Sequence, residues 1–225
     1  MNKLLTVSPS PHEYSKESTK KLMYGVVLAL APALLATIWY FGWAALFVTS
    51  VSVVSCIVFE YIIQKFILRK EPSVSDGSAV VTGLLLAFCL PTNLPVAIVI
   101  LGALVAIGVG KMTFGGLGNN PFNPALVGRV FLFLSFPVQM TTWPVPKGFK
   151  TSFTDAVTGA TPLSILNENY DKVPIDNIMS DPALAMPGYQ QLFWGNTGGS
   201  LGEIAAFALI IGLAYLLIRK IITWH

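Results

Sequence analysis

Ser78-Ala-Val-Val-Thr-Gly-Leu-Leu-Leu-Ala-Phe-Cys-Leu-Pro91-Thr-Asn-Leu-Pro95 is apolar enough to lie in a bilayer and too short to cross one. A full crossing takes about 20 apolar residues, with about 17 as the lower limit. The stretch stops at two prolines, which cannot continue a helix. Short, Pro-interrupted apolar segments imply unwound backbone that must be covered by protein or line a cavity. The expected fold is therefore an all-α membrane protein, a polytopic bundle containing short and broken helices.

The neighbouring sequence supports this. About six apolar segments follow one another, at residues 23–41, 43–63, 78–91, 94–110, 125–141 and 203–222. The first, second and sixth are long enough to span; the fourth is marginal and runs into the glycine-rich Gly108–Gly118. Only 11% of residues are charged and the mean hydropathy is +0.68, against about 25% charged in soluble domains. The first twenty residues are polar, with Lys3, Lys16 and Lys20, and lack a signal-peptide pattern. A net charge of +3 is too small to suggest a nucleic-acid partner. Residues 1–22 read as a cytoplasmic tail, 23–141 as membrane helices with interruptions, 142–202 as an extracytoplasmic loop and 203–225 as a last membrane helix.

Orientation follows from the basic residues. With the N-terminus inside, eleven of the fourteen Lys and Arg fall on inner segments, including Lys65, Arg69, Lys70, Lys111, Arg129, Arg219 and Lys220. The outer loop keeps Lys147, Lys150 and Lys172 against five carboxylates. The positive-inside rule favours this topology.

Within that loop, Asp155-Ala-Val-Thr158-Gly159-Ala160-Thr161-Pro-Leu-Ser164 sets a hydroxyl beside small residues and before a proline. Gly159 and Ala160 leave Thr161 uncrowded, and Pro162 disfavours helical geometry at Thr161 itself. Asp155 stands where it can position an enzyme or metal-bound phosphate acting on the threonine. An ordinary Ser/Thr-rich turn has the same composition. A second run, Phe114-Gly-Gly-Leu-Gly-Asn-Asn120-Pro-Phe-Asn123-Pro-Ala-Leu-Val-Gly-Arg129, combines glycines, prolines and asparagine amides ahead of an apolar helix. It reads either as a tight turn with capping asparagines or as a site for an anionic or electron-rich group.

These words, with Ser75-Asp-Gly-Ser-Ala79, Thr82-Gly83 and Gly195-Asn-Thr-Gly-Gly-Ser-Leu-Gly-Glu203, resemble a known family. It is that of the membrane flavoprotein subunits of the sodium-pumping NADH:quinone reductase and the Rnf electron-transport complex. The similarity covers most of residues 75–203 and is strongest toward the Rnf D branch. It implies FMN held covalently through a phosphoester on Thr161, attached by a separate flavin transferase. It further implies riboflavin bound noncovalently near Asn120 and Asn123. The implied setting is the bacterial cytoplasmic (inner) membrane, in an ion-translocating oxidoreductase not catalytic through this chain alone. Partners would be a neighbouring FMN subunit, iron–sulfur subunits and membrane lipid. Electrons would pass in a ferredoxin- or NAD-linked chain coupled to Na+ or H+ transport. Family members have about ten helices in two five-helix halves, so this chain is expected to be the first half plus one helix. The B subunit of the sodium pump, a passive solute channel of urea-transporter-like architecture and a cofactor-free assembly protein remain alternatives.

Other polar groups have simpler expectations. Cys56 and Cys89 read as core residues or as a shared intersubunit ligand, since two thiols hold no cluster alone. Glu60 is expected to reach the interface or pair with Lys65, Asp76 to cap the third segment, and Glu203 to start the sixth helix.

Overall fold

The computed structural model describes residues 18–146, 158–169, 186–195 and 197–224. Two long apolar helices open the fold, α1 (Thr19–Phe41) and α2 (Trp43–Ile62). Ser18 caps α1 by accepting the Lys21 N–H at 3.2 Å. Gly42 alone separates the two helices, with φ 61° and ψ −140°, a backbone shape closed to residues with a Cβ. A π-helical turn, Ile63–Ile67, extends α2. Four shorter apolar helices follow: α3 (Ser78–Phe88), α4 (Val96–Ile107, continued by a π turn at Gly108–Met112), α5 (Pro124–Ser135) and, later, α9 (Ala206–Ile218). Short pieces lie between α5 and α9: α6 (Pro137–Thr141), α7 (Pro162–Asn169) and α8 (Tyr189–Trp194). Among the described residues there is no strand, only an isolated antiparallel bridge between Pro144 and Thr158. The fold is an all-α membrane protein with broken helices, as expected.

α3 sits at the centre. It is apolar on every side, and Ala79, Gly83, Leu84, Leu86, Ala87 and Phe88 are buried; a helix of that character has to be enclosed. It packs against α1, α2, α4 and α5, while α9 packs on α1. Small residues set the spacing. A Cβ on Gly83 would lie 2.6 Å from the Val53 Cα, and one on Gly212 would run into the Ala29 carbonyl oxygen. At the first contact Ser52 donates its hydroxyl to the Gly83 carbonyl at 2.8 Å.

Two segments differ from the sequence expectation. The fifth, 125–141, is not one helix, because Phe136 ahead of Pro137 takes φ −133° and ψ 58° and separates α5 from α6. The sixth does not begin at Glu203. Leu201–Ile204 forms a turn folded back into the bundle, and the helix runs only from Ala206 to Ile218. Gly202 donates its N–H to the Phe88 carbonyl at 2.9 Å and Leu201 to the Leu90 carbonyl at 3.3 Å. The Thr37 hydroxyl donates to the Leu201 carbonyl at 2.8 Å. The turn thus supplies partners to the broken end of α3.

Gly83→Val is expected to destabilise the protein by more than the usual ~1–3 kcal/mol of core overpacking, since the clash is with backbone. Gly188→Ala, with open space around it, is the control and should change little. Thermal unfolding in detergent, followed by tryptophan fluorescence, checks both.

Candidate functional site

Among the described residues the buried charged side chains are Glu60 and Lys111. They come from α2 and from the π turn after α4, and they meet at 2.6 Å. A π turn takes an extra residue per turn and rotates the face that follows. Here it brings Lys111 inward instead of leaving it with the solvated inner-loop cations. Gly110, one residue earlier, lies against the backbone of Pro124, where a Cβ would come within 3.0 Å of the Pro124 Cα. That contact seats the start of α5 beside Lys111.

Hydrogen bonds extend the pair in two directions. The Lys111 ammonium also donates to Ser78 Oγ at 2.6 Å, and Ser78 donates its own proton to Asp76 Oδ1 at 2.6 Å. Asp76 accepts the Ser78 backbone N–H as well, at 2.8 Å, so it does serve the start of α3. Behind the carboxylate, Gln64 Nε2 donates to Glu60 Oε1 at 3.2 Å and to Ser73 Oγ at 2.8 Å. Lys65, the partner expected for Glu60, instead donates to the Tyr61 hydroxyl at 2.7 Å.

Lys111 and Ser78 of this network are among the residues lining a cavity of about 380 Å3, whose polar lining also includes Thr82, Asn120 and Asn123. Asn123 caps α5 by accepting the Ala125 N–H at 3.0 Å, and Asn120 Nδ2 donates to the Phe122 carbonyl at 3.1 Å. Both amides therefore support unwound backbone while lining the cavity.

Thr161 lies elsewhere. It immediately precedes α7, where its Oγ1 accepts the Ser164 N–H at 3.2 Å and its carbonyl accepts the Ser164 hydroxyl at 2.8 Å. It lines a second cavity of about 850 Å3 with Phe133, Thr141, Leu163, Ser164 and Asn167. Gly159 donates to the Trp143 carbonyl at 3.0 Å, and a Cβ there would meet Val145 at 2.7 Å. The glycine thus allows two chain segments to approach each other. Thr158 and Ala160 are exposed. Asp155 lies outside the described residues. The residues selected from sequence therefore fall in two groups, near the start of α5 and near its end.

The profile of the NQR2, RnfD, RnfE family matches residues 6–225. The chain belongs to this family. It is 41% identical over 224 residues to the D subunit of the proton-translocating ferredoxin:NAD(+) oxidoreductase complex of Clostridium ljungdahlii, covering 99% of this chain and 65% of that protein. It is 44% identical over 229 residues to the D subunit of the Na(+)-translocating ferredoxin:NAD(+) oxidoreductase complex of Acetobacterium woodii, covering 100% and 66%. The D subunit of an ion-translocating oxidoreductase complex from Mannheimia succiniciproducens is 33% identical over 245 residues, covering 99% and 69%. The chain spans about two thirds of the length of these curated relatives.

Family resemblance led to Thr161, Asn120 and Asn123, but the ion pair came from the structure alone. Its one sequence signal was Lys111 at the end of an apolar run. Glu203, expected at a helix start, lies in the turn before α9 with Arg129 Nη1 3.8 Å from its Oε1, and both side chains reach the surface. Ser78→Ala removes the oxygen shared by Lys111 and Asp76. The expected loss is about 1–3 kcal/mol of stability, measured as a lowered unfolding midpoint of the purified protein in detergent.

Proposed function

We propose that the chain is a flavin-carrying membrane subunit of an ion-translocating oxidoreductase complex, transferring electrons between ferredoxin- and NAD-linked modules. The observation that carries this is Thr161, a half-buried hydroxyl at the mouth of α7 on the edge of a cavity large enough for a ring system. FMN would be joined there by a flavin transferase. Thr161 Oγ would be the nucleophile toward the FMN-side phosphorus of FAD, with AMP as the leaving group of the broken phosphoanhydride and the hydroxyl proton taken by a base of the transferase. The product phosphate would sit at the start of α7, where the positive end of the helix dipole favours negative charge. Thr158, Gly159 and Ala160 supply the approach, and Asp155 is assigned to docking the transferase or its metal-bound phosphate.

A second, noncovalent flavin, riboflavin, is proposed for the cavity beside Asn120 and Asn123. At about 380 Å3 with convergent polar groups it falls in the range of small-molecule sites. Bound flavin supplies the one- and two-electron chemistry, and the protein supplies position and electrostatics. Membership of a larger complex, with a neighbouring FMN subunit and iron–sulfur subunits, is part of this proposal; the surface pair Arg129–Glu203 fits a flank covered by protein. Charged groups on the flank of a membrane bundle are covered by protein more readily than by lipid. The transported ion is H+ or Na+, the ions named for the complexes of Clostridium ljungdahlii and Acetobacterium woodii respectively.

The proposed setting is the bacterial inner membrane with the N-terminus cytoplasmic and the Thr161 loop outside. Lys111 is buried and Arg129 lies within α5, so both drop out of the topological count, leaving nine basic residues inside against three outside. The bias still favours this orientation.

Thr161→Ala should abolish the ultraviolet-excited flavin band on a denaturing gel, while Thr158→Ala keeps it. A mass shift on Thr158 or Ser164 with none on Thr161 would refute the assignment. Absence of the band from the native protein would favour a channel or an assembly role. For topology, Glu168→Cys should react with an impermeant maleimide in intact cells and Lys70→Cys should not; the reversed pattern overturns the orientation.

A further inference from the structure

The cavity beside Lys111 has an unequal supply of hydrogen-bonding groups. Ser78 spends its proton on Asp76, and Thr82 donates its hydroxyl to the Ser78 carbonyl at 2.9 Å. The Asn123 carbonyl oxygen is taken by Ala125. An ammonium has three N–H donors; those of Lys111 include one bond to Glu60 and one to Ser78, which leaves a third. The amide NH2 of Asn123 is a further donor on the same wall.

The ion pair adds a direction to this. Lys111 borders the cavity, whereas Glu60 is not part of its lining. The carboxylate is engaged on the far side by Gln64, which is itself fixed by Ser73. A buried pair is neutral as a whole, but in a low-dielectric surrounding the nearer charge dominates. Asp76, reached through Ser78, adds a second carboxylate to this group, so it is the supply of donors and not the net charge that characterises this wall of the cavity. Its complement is a ligand edge rich in acceptors that gains negative charge.

We propose that Lys111 donates a hydrogen bond to the carbonyl edge of a flavin ring in this cavity and favours the ring's reduced, anionic form over its oxidised form. This rests on the reading that the cavity holds the noncovalent flavin. Glu60 is then the partner that holds the Lys111 ammonium in place beside the cavity. A purely structural role for Lys111 would end with its pairing to Glu60, and the two roles are separable.

The test is riboflavin binding by the purified, detergent-solubilised protein, with oxidised flavin followed by fluorescence quenching and dithionite-reduced flavin by anaerobic equilibrium dialysis. Native protein should bind the reduced form more tightly. The double variant Glu60→Leu with Lys111→Met removes both charges, an exchange that buried pairs commonly tolerate. It should keep its cooperative thermal transition and its Thr161-linked flavin. Its affinity for reduced flavin should fall about tenfold or more, the scale of one charge-assisted hydrogen bond, and the preference for the reduced form should vanish. Unchanged binding of both forms by this variant, with binding lost in Asn123→Leu, overturns the role of Lys111 and leaves the cavity reading intact. No riboflavin binding by native protein, or equal binding by Asn123→Leu, removes the cavity reading and this proposal together. Should the double variant not fold, Glu60→Gln decides: it keeps an acceptor for Lys111 and should retain or sharpen the preference, and loss of the preference overturns the proposal.

Discussion

Backbone groups inside an apolar environment have no water to bond, and the architecture follows from how they are satisfied. α3 ends at Phe88, with the main chain unwound through Pro91 and Pro95. The carbonyls of Phe88 and Leu90 receive N–H groups from Gly202 and Leu201, and the Leu201 carbonyl receives the Thr37 hydroxyl. A turn more than a hundred positions downstream is therefore drawn into the bundle to complete a helix end. This requires Gly202, since a Cβ there would lie 2.6 Å from the Phe88 Cβ. It also delays the start of α9 to Ala206 and leaves a helix of 13 residues where the apolar run alone is longer.

The second constraint is electrostatic. Desolvating an ammonium and a carboxylate costs several kcal/mol per ion, and their attraction offsets this only with good geometry and added hydrogen bonds. Glu60 and Lys111 have both, through Ser78, Gln64 and the 2.6 Å contact. Such pairs are commonly no more stabilising than apolar residues of similar size, so stability alone is a weak reason for placing one here. What the pair does accomplish is to lock three elements, α2, α3 and the π turn after α4, around one end of a cavity.

Period and length in the sequence were enough to find the six apolar helices, because lipid leaves few alternatives for runs such as Thr19–Phe41 and Trp43–Ile67. The short third helix and its burial were legible for the same reason, and so was Asp76 at its start. Long-range and register effects were not. Lys65 is five positions from Glu60 and looks like its partner, yet the extra residues in the π turns redirect Lys111 to that role. A lysine in a glycine-bearing run reads as a loop cation by composition. The break at Phe136–Pro137 was visible as a proline, but an otherwise unbroken apolar segment outweighed it. Thr161 as a flavin-bearing residue rests on family resemblance alone; its local geometry also suits an ordinary Ser/Thr turn.

α5 connects the two candidate cofactor positions. Its N-terminal cap, Asn123, lines the cavity of Lys111, and Phe133 near its other end lines that of Thr161. Roughly ten residues of α-helix separate them, about 15 Å along the axis. Under the proposed reading, two flavins would be held toward opposite ends of one helix, with their relative height set by regular geometry and not by loops. The helix is itself fixed along its length: Gly110 meets Pro124, Gly128 approaches the Gly102 carbonyl, and Gly102 in turn meets Leu132. Pro137 then begins a new direction between Phe133 and Thr141, two residues that line the second cavity. A rigid spacer with interruptions at both ends suits electron transfer between fixed carriers better than it suits a passive pore, whose function would need no second cavity at the far end.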